Sequence, residues 1–96
     1  MKYDIIITNN AEDNLIDIAY YIAQDNPKRA ESFINEIKSF FEKNLELMPL
    51  AFAKVRRDIR MLPYKRYSIF YTINEKEKIV SILHIFAGGR DWDILI

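Results

Sequence analysis

Residues 59–86 read IRMLPYKRYSIFYTINEKEKIVSILHIF, and this stretch decides the fold. Three runs in it, Ile59 to Pro63, Tyr67 to Ile73 and Ile79 to Phe86, are rich in aromatic and β-branched residues, which suit a pleated, half-buried surface. Asn74 to Lys78 is a polar turn between the last two. The pattern predicts an antiparallel meander. In its middle strand Tyr67, Ile69, Tyr71 and Ile73 share one face, while Ser68, Phe70 and Thr72 share the other.

Upstream of residue 49 the period changes from two to three and four. Tyr3 to Thr8 reads as a first strand, and Asn9 or Asn10 can cap the helix that follows. Ala11, Leu15, Ile18, Ala19 and Ile22 form one helical stripe, with Glu12, Asp13 and Asp17 facing water. Asp25-Asn26-Pro27 supplies a stop, a cap and a proline for the first position of a second helix. That helix carries Ala30, Phe33, Ile34, Ile37, Phe40, Phe41, Leu45 and Met48 at helical spacing until Pro49 ends the pattern. So short a turn between two helices predicts an antiparallel hairpin. Helices and strands segregated in this way give an α+β fold in the order β-α-α-β-β-β, a helical hairpin on a small antiparallel sheet.

The 96 residues are enough for one domain spanning 1–96, and half of them are hydrophobic. The chain has no cysteine and one histidine, so neither a disulfide framework nor a metal-ligand cluster is expected, and no cofactor is called for. No apolar run reaches membrane-spanning length, and the N-terminus is too soon interrupted to be a signal peptide. The expectation is a cytoplasmic protein with no membrane role.

A net charge of zero hides a dipole. Residues 1–48 carry a balance of −4 and residues 49–96 a balance of +4. Lys54 to Arg66 alone holds six cations (Lys54, Arg56, Arg57, Arg60, Lys65, Arg66) against Asp58. Such a block points to an anionic partner, either phosphate or an acidic protein face. These side chains, with Arg90, are expected to converge on the exposed side of the β-layer. Tyr67 joins them as a candidate because it follows Lys65 and Arg66.

The early helix with Ala11, Leu15, Ile18 and Tyr21-Ile22, the turn Asn26-Pro27-Lys28-Arg29-Ala30, and Leu47-Met48-Pro49 form a series. It continues through Ile59-Arg60, Tyr67 to Ile73 and Gly89-Arg90-Asp91. In that order and spacing the pieces resemble the RelE/ParE superfamily of type II toxin-antitoxin toxins, closer to its ParE branch, over nearly the whole chain. The resemblance implies a growth-inhibiting, plasmid-stabilising toxin that binds DNA gyrase without turnover and is neutralised by a cognate antitoxin. The antitoxin would lay an amphipathic segment over the helical hairpin and the sheet edge. Two alternatives come with the superfamily: a RelE-type endoribonuclease that cuts mRNA on the ribosome, and a non-toxic member that only binds its partner. Many members read His-x-x-Arg-Asp near the C-terminus. Here Ala87 stands at that histidine position, and His84 is three residues too early to inherit the role.

Metal-free RNA cleavage needs a base, an acid and cations around the transition state. Arg56, Arg57, Arg60, Lys65, Arg66 and Arg90 supply cations, and Tyr64, Tyr67, Tyr71 or Trp92 can stack on a base. As catalytic groups only Arg60, Arg66, His84 and Arg90 suggest themselves, and His84 reads more readily as a half-buried strand residue than as an acid or base. Binding is therefore favoured over cleavage. Gly88-Gly89-Arg90-Asp91 reads equally as an anion-binding turn and as the closing turn of the last strand. The apolar ending Trp92 to Ile96 must pack on the sheet or on a partner.

Overall fold

A computed structural model describes residues 2–88. The strands β1 (Asp4–Ile7), β2 (Lys54–Arg56), β3 (Ile59–Tyr64), β4 (Tyr67–Asn74) and β5 (Ile79–Ala87) form one sheet in the order β1-β5-β4-β3-β2. The helices α1 (Asn9–Asp25) and α2 (Pro27–Leu45) follow β1 and pack on the sheet and on each other. The α+β layout and the meander β3-β4-β5 stand as read from the sequence. Two features extend it: β2 adds a short edge strand, and β1 runs parallel to β5, so the sheet is mixed. The helical hairpin supplies the crossover that a parallel pair requires.

Thr8, rather than Asn9 or Asn10, caps α1. Its Oγ1 accepts from the Ala11 amide at 3.3 Å and donates to the Ile82 carbonyl at 2.7 Å, while its own amide reaches the same carbonyl at 3.1 Å. A threonine at the end of β1 thus closes the strand and opens the helix in one residue. Asn26 caps α2 as expected, accepting from the Arg29 amide at 3.1 Å, with Pro27 following.

The core lies between helices and sheet. Leu15, Phe33, Ile37, Phe41 and Leu45 from the hairpin meet Leu62, Ile69, Tyr71, Val80, Ile82 and Ile85. Each such side chain contributes about 1.5–3 kcal/mol when fully buried. Two residues of the helical stripes fall outside it. Ala19 lies in an apolar groove on the outer side of the hairpin, beside Ile16, Tyr20 and Ile34. Met48 is exposed, because α2 ends at Leu45. Beyond that point backbone groups are claimed from outside the helix: the Glu46 carbonyl accepts from the Tyr3 amide at 2.7 Å, and the Pro49 carbonyl accepts from the Tyr71 hydroxyl at 2.6 Å.

The partner register skips Leu83, since Phe70 faces His84 and Tyr71 faces Ile82. This β-bulge disrupts the ladder locally. The Ile85 amide beside it is satisfied from another layer, donating to Asn14 Oδ1 of α1 at 3.0 Å. Asn14 and Thr8 therefore fix α1 against β5, and with it the position of the far end of the hairpin.

Candidate functional site

Lys65 and Arg66 form the two-residue turn between β3 and β4, closed by the pair Tyr64 and Tyr67. Lys65 occupies the left-handed region at φ 54°, which a side chain with a Cβ adopts only at a cost. Rings beneath the turn hold it there. Phe40 meets Tyr64 at 4.5 Å between centroids, and Phe33 meets Tyr64 at 6.3 Å and Tyr67 at 5.2 Å. The Lys65 ammonium stands 5.4 Å from the Tyr64 ring centroid and 3.5 Å from Glu36 Oε1.

Glu36 also pairs with Arg29, whose guanidinium lies 6.0 Å from the Phe33 centroid and donates to Ser32 Oγ at 3.2 Å. The hydrogen bond from Arg29, with the charges of Arg29 and Lys65, holds the Glu36 carboxyl below its ordinary pKa. Two cations and one anion are thereby tied together across α2 and the turn. Arg66 differs: among the described residues its exposed guanidinium has no ion-pair partner.

Arg66 borders a depression of about 410 Å³ whose walls are Asp17, Ile18 and Tyr21 of α1, Tyr67 of β4 and the Ala87-Gly88 end of β5. A neighbouring depression of about 350 Å³ shares Tyr21, Arg66 and Tyr67 and extends to Ile22, Arg29, Phe33 and Lys65. The two make one groove across the end of the hairpin. The Gly88 amide donates to the Arg66 carbonyl at 2.5 Å, and a Cβ on Gly88 would stand 2.7 Å from that oxygen, so no other residue fits there without displacement.

The basic run is divided by the register of β3. Lys65, Arg66 and Tyr67 lie at one end of the β3-β4 hairpin, while Lys54, Arg56 and Arg57 lie at the other, on and beside β2. Lys54 stands 3.8 Å from Asp58, and Arg57 forms the β2-β3 turn with φ 51°. Arg60 does not lie on the open side of the sheet, contrary to expectation. Alternation places it on the same face as Leu62 and Tyr64, which pack in the core beneath the helices. There its guanidinium donates to the carbonyl of Phe52 at 2.5 Å and approaches that of Leu50 at 3.4 Å, bracing the segment after α2.

His84 is on the other face. It partners Phe70 across the strands and stacks on Phe86 at 5.1 Å, and burial lowers its pKa, which favours the neutral ring. Arg90, Trp92, the remainder of the Gly88 to Asp91 motif and the Trp92 to Ile96 ending lie outside the described residues. Tyr21, Arg29, Asp17 and Glu36 were not singled out for the site from sequence. Only the hairpin's docking geometry brings them to the β3-β4 turn, and no local pattern encodes that. Among the described residues no group of three or more histidines, cysteines or carboxylates stands close enough to hold a metal ion, and no helix is long and apolar enough to cross a membrane.

The profile of the ParE toxin of the type II toxin-antitoxin system parDE matches residues 5–92. No curated protein sequence matches. Among solved structures, the chain is similar to one in a chromosomal ParDE toxin-antitoxin system from P. aeruginosa, with TM-score 0.74 and 16% identity over 90% of this chain and 96% of that one. It is also similar to a chain of the RelBE2 toxin-antitoxin complex of Mycobacterium tuberculosis, with TM-score 0.60, 16% identity and coverage of 91% and 99%. A chain of the archaeal RelE-RelB complex from Pyrococcus horikoshii gives TM-score 0.55 and 21% identity, with coverage of 94% and 99%. At these identities the structural likeness speaks for the fold.

Proposed function

The chain belongs to the ParE toxin family of type II toxin-antitoxin systems, and from that premise we propose that it inhibits DNA gyrase in the cytoplasm by binding, without chemical turnover. A cognate antitoxin neutralises it. The partnership is carried over from the solved relatives, which are toxin-antitoxin complexes.

One observation carries the choice of binding over cleavage. The groove at Arg66 gathers cations and rings, while the chain's single histidine is stacked on Phe86 on the opposite face of the sheet. The nearest carboxylate of α2, Glu36, is held ionised by Arg29 and Lys65 and serves as their counter-charge. A general base needs hydrogen-bond reach to the proton it removes and a pKa near the working pH; His84 lacks the first and Glu36 the second, which leaves Asp17, an exposed carboxylate on the groove wall, as the one acidic group lining the groove among the described residues. Docking asks only for a positioned charge beside apolar surface, which Arg66, Tyr67 and Tyr21 provide.

The test is a pair of assays on the purified chain. Gyrase-catalysed supercoiling of a relaxed plasmid is expected to fall with added protein, and primer extension on a message translated by ribosomes is expected to show no new stops. Discrete cuts with undisturbed supercoiling would overturn the reading in favour of an endoribonuclease.

A further inference from the structure

We infer that the depression beside Arg66 anchors a peptide segment of the antitoxin in which a carboxylate stands next to a leucine- or phenylalanine-sized side chain. The identity of the partner rests on the toxin reading above; the chemistry of the segment rests on the geometry.

The charge at the groove fits a single anion. Arg29 and Lys65 share the one carboxylate of Glu36, which leaves the Arg66 guanidinium as the cation of the groove without an ion-pair partner among the described residues; with Asp17 in the lining, three cations face two anions. Asp17 stands in the same lining and repels further negative charge. A row of phosphates would meet that carboxylate, whereas one side-chain carboxylate can reach Arg66 and form a bidentate pair.

The surface next to Arg66 is apolar. Ile18, the rings of Tyr21 and Tyr67, and Ala87 wall the depression of about 410 Å³. An apolar side chain seated there would cover Tyr21, which is 75% exposed, and would shield the ion pair from water. The arrangement is held before any partner arrives. Phe33 packs on Tyr67, the Gly88 amide holds the Arg66 carbonyl, and Lys65 is tied to Glu36. A rigid site loses less freedom on binding, which is what makes an arginine beside aromatic rings an effective anchor.

The test titrates the full chain with three synthetic amphipathic helical peptides of equal length, labelled for fluorescence anisotropy. One pairs leucine with glutamate on its binding face, one pairs serine with glutamate, and one pairs leucine with lysine. The leucine-glutamate peptide is expected to bind about tenfold or more tightly than either of the others. Arg66→Glu is expected to remove that preference and to favour the leucine-lysine peptide, with Arg66→Gln as the second variant if the first unfolds. Equal binding of all three peptides would overturn the anchor, as would unchanged binding by both variants. Displacement of the leucine-glutamate peptide by a single-stranded RNA oligonucleotide would also overturn it, in favour of a nucleic-acid groove. Growth on induction of the chain without antitoxin separates the two readings. Unimpaired growth with the peptide preferences intact overturns toxicity and leaves the anchor standing; arrested growth with no peptide preference overturns the anchor alone.

Discussion

The Gly88 amide donates to the Arg66 carbonyl at 2.5 Å, so the end of β5 is fastened to the turn that presents the Arg66 guanidinium, which has no ion-pair partner among the described residues. A Cβ at residue 88 would sit 2.7 Å from that carbonyl oxygen, against backbone rather than a flexible side chain. Gly88→Ala must therefore spread the β4 and β5 ends. We expect it to cost about 1–3 kcal/mol, the usual range for overpacking, read as a lower urea midpoint at unchanged slope. Growth inhibition should weaken with it.

Arg60 and Arg66 separate structure from function within one basic run. Arg60 donates to the Phe52 carbonyl from the core side of the sheet, so Arg60→Ala should cost about 1.5–3 kcal/mol, the range for hydrogen bonds from a charged group. Arg66 is exposed and unpaired among the described residues, so Arg66→Ala should change stability by less than about 0.5 kcal/mol while abolishing growth inhibition. Thermal melts and growth curves of the two variants check both halves. The reverse assignment would remove Arg66 from the mechanism.

Tyr71 is fully buried, and its hydroxyl donates to the Pro49 carbonyl at 2.6 Å. Burial pushes its pKa up to about 12, partly offset by the charge of Arg60. A raised folded pKa gives stability that is complete below the unfolded value near 10 and is lost as pH rises from there to about 12. Denaturation at stepped alkaline pH should show a loss of about 2 kcal/mol across that window. Tyr71→Phe should lack that contribution and should be less stable at pH 7 by about 1–3 kcal/mol, because the Pro49 carbonyl loses its donor.

Glu36 should titrate below the ordinary carboxylate range, since Arg29 and Lys65 both favour its charged form. With a depressed folded pKa its pairing is present above the unfolded value and disappears as pH falls through the folded one. Carboxyl chemical shifts followed against pH report the midpoint. Arg29→Ala should raise that midpoint more than Lys65→Ala, because the Arg29 hydrogen bond is the largest cause of the shift. An equal or opposite order would contradict the division of labour between the two cations.

The meander and the helical hairpin were legible because their periods differ and because Asn26-Pro27 marks one boundary and Pro49 another. The short strand β2 was not, since Lys54–Arg56 reads as charge rather than as a strand and pairs only with β3. Parallel pairing of β1 with β5 joins residues about as far apart as the chain allows, and no local pattern records it. For the site, the run from Lys54 to Arg66 reads as one surface, whereas the β3-β4 hairpin splits it into two ends, with Arg66 and the adjoining Tyr67 lining a groove at one of them. Arg60 was misplaced because alternation along β3 decides its face, and Ile59 to Pro63 alone does not say which face meets the helices. Asp17, Tyr21, Arg29 and Glu36 reach the groove only through helix docking.

The most direct measurement is gyrase supercoiling in the presence of the wild-type chain and of its Arg66→Ala variant, with primer extension on a translated message run in parallel. The account predicts that the wild-type chain inhibits supercoiling, that the variant is folded and does not, and that neither cuts the message. Inhibition undiminished in the variant, or cleavage of the message by the wild-type chain, would contradict it.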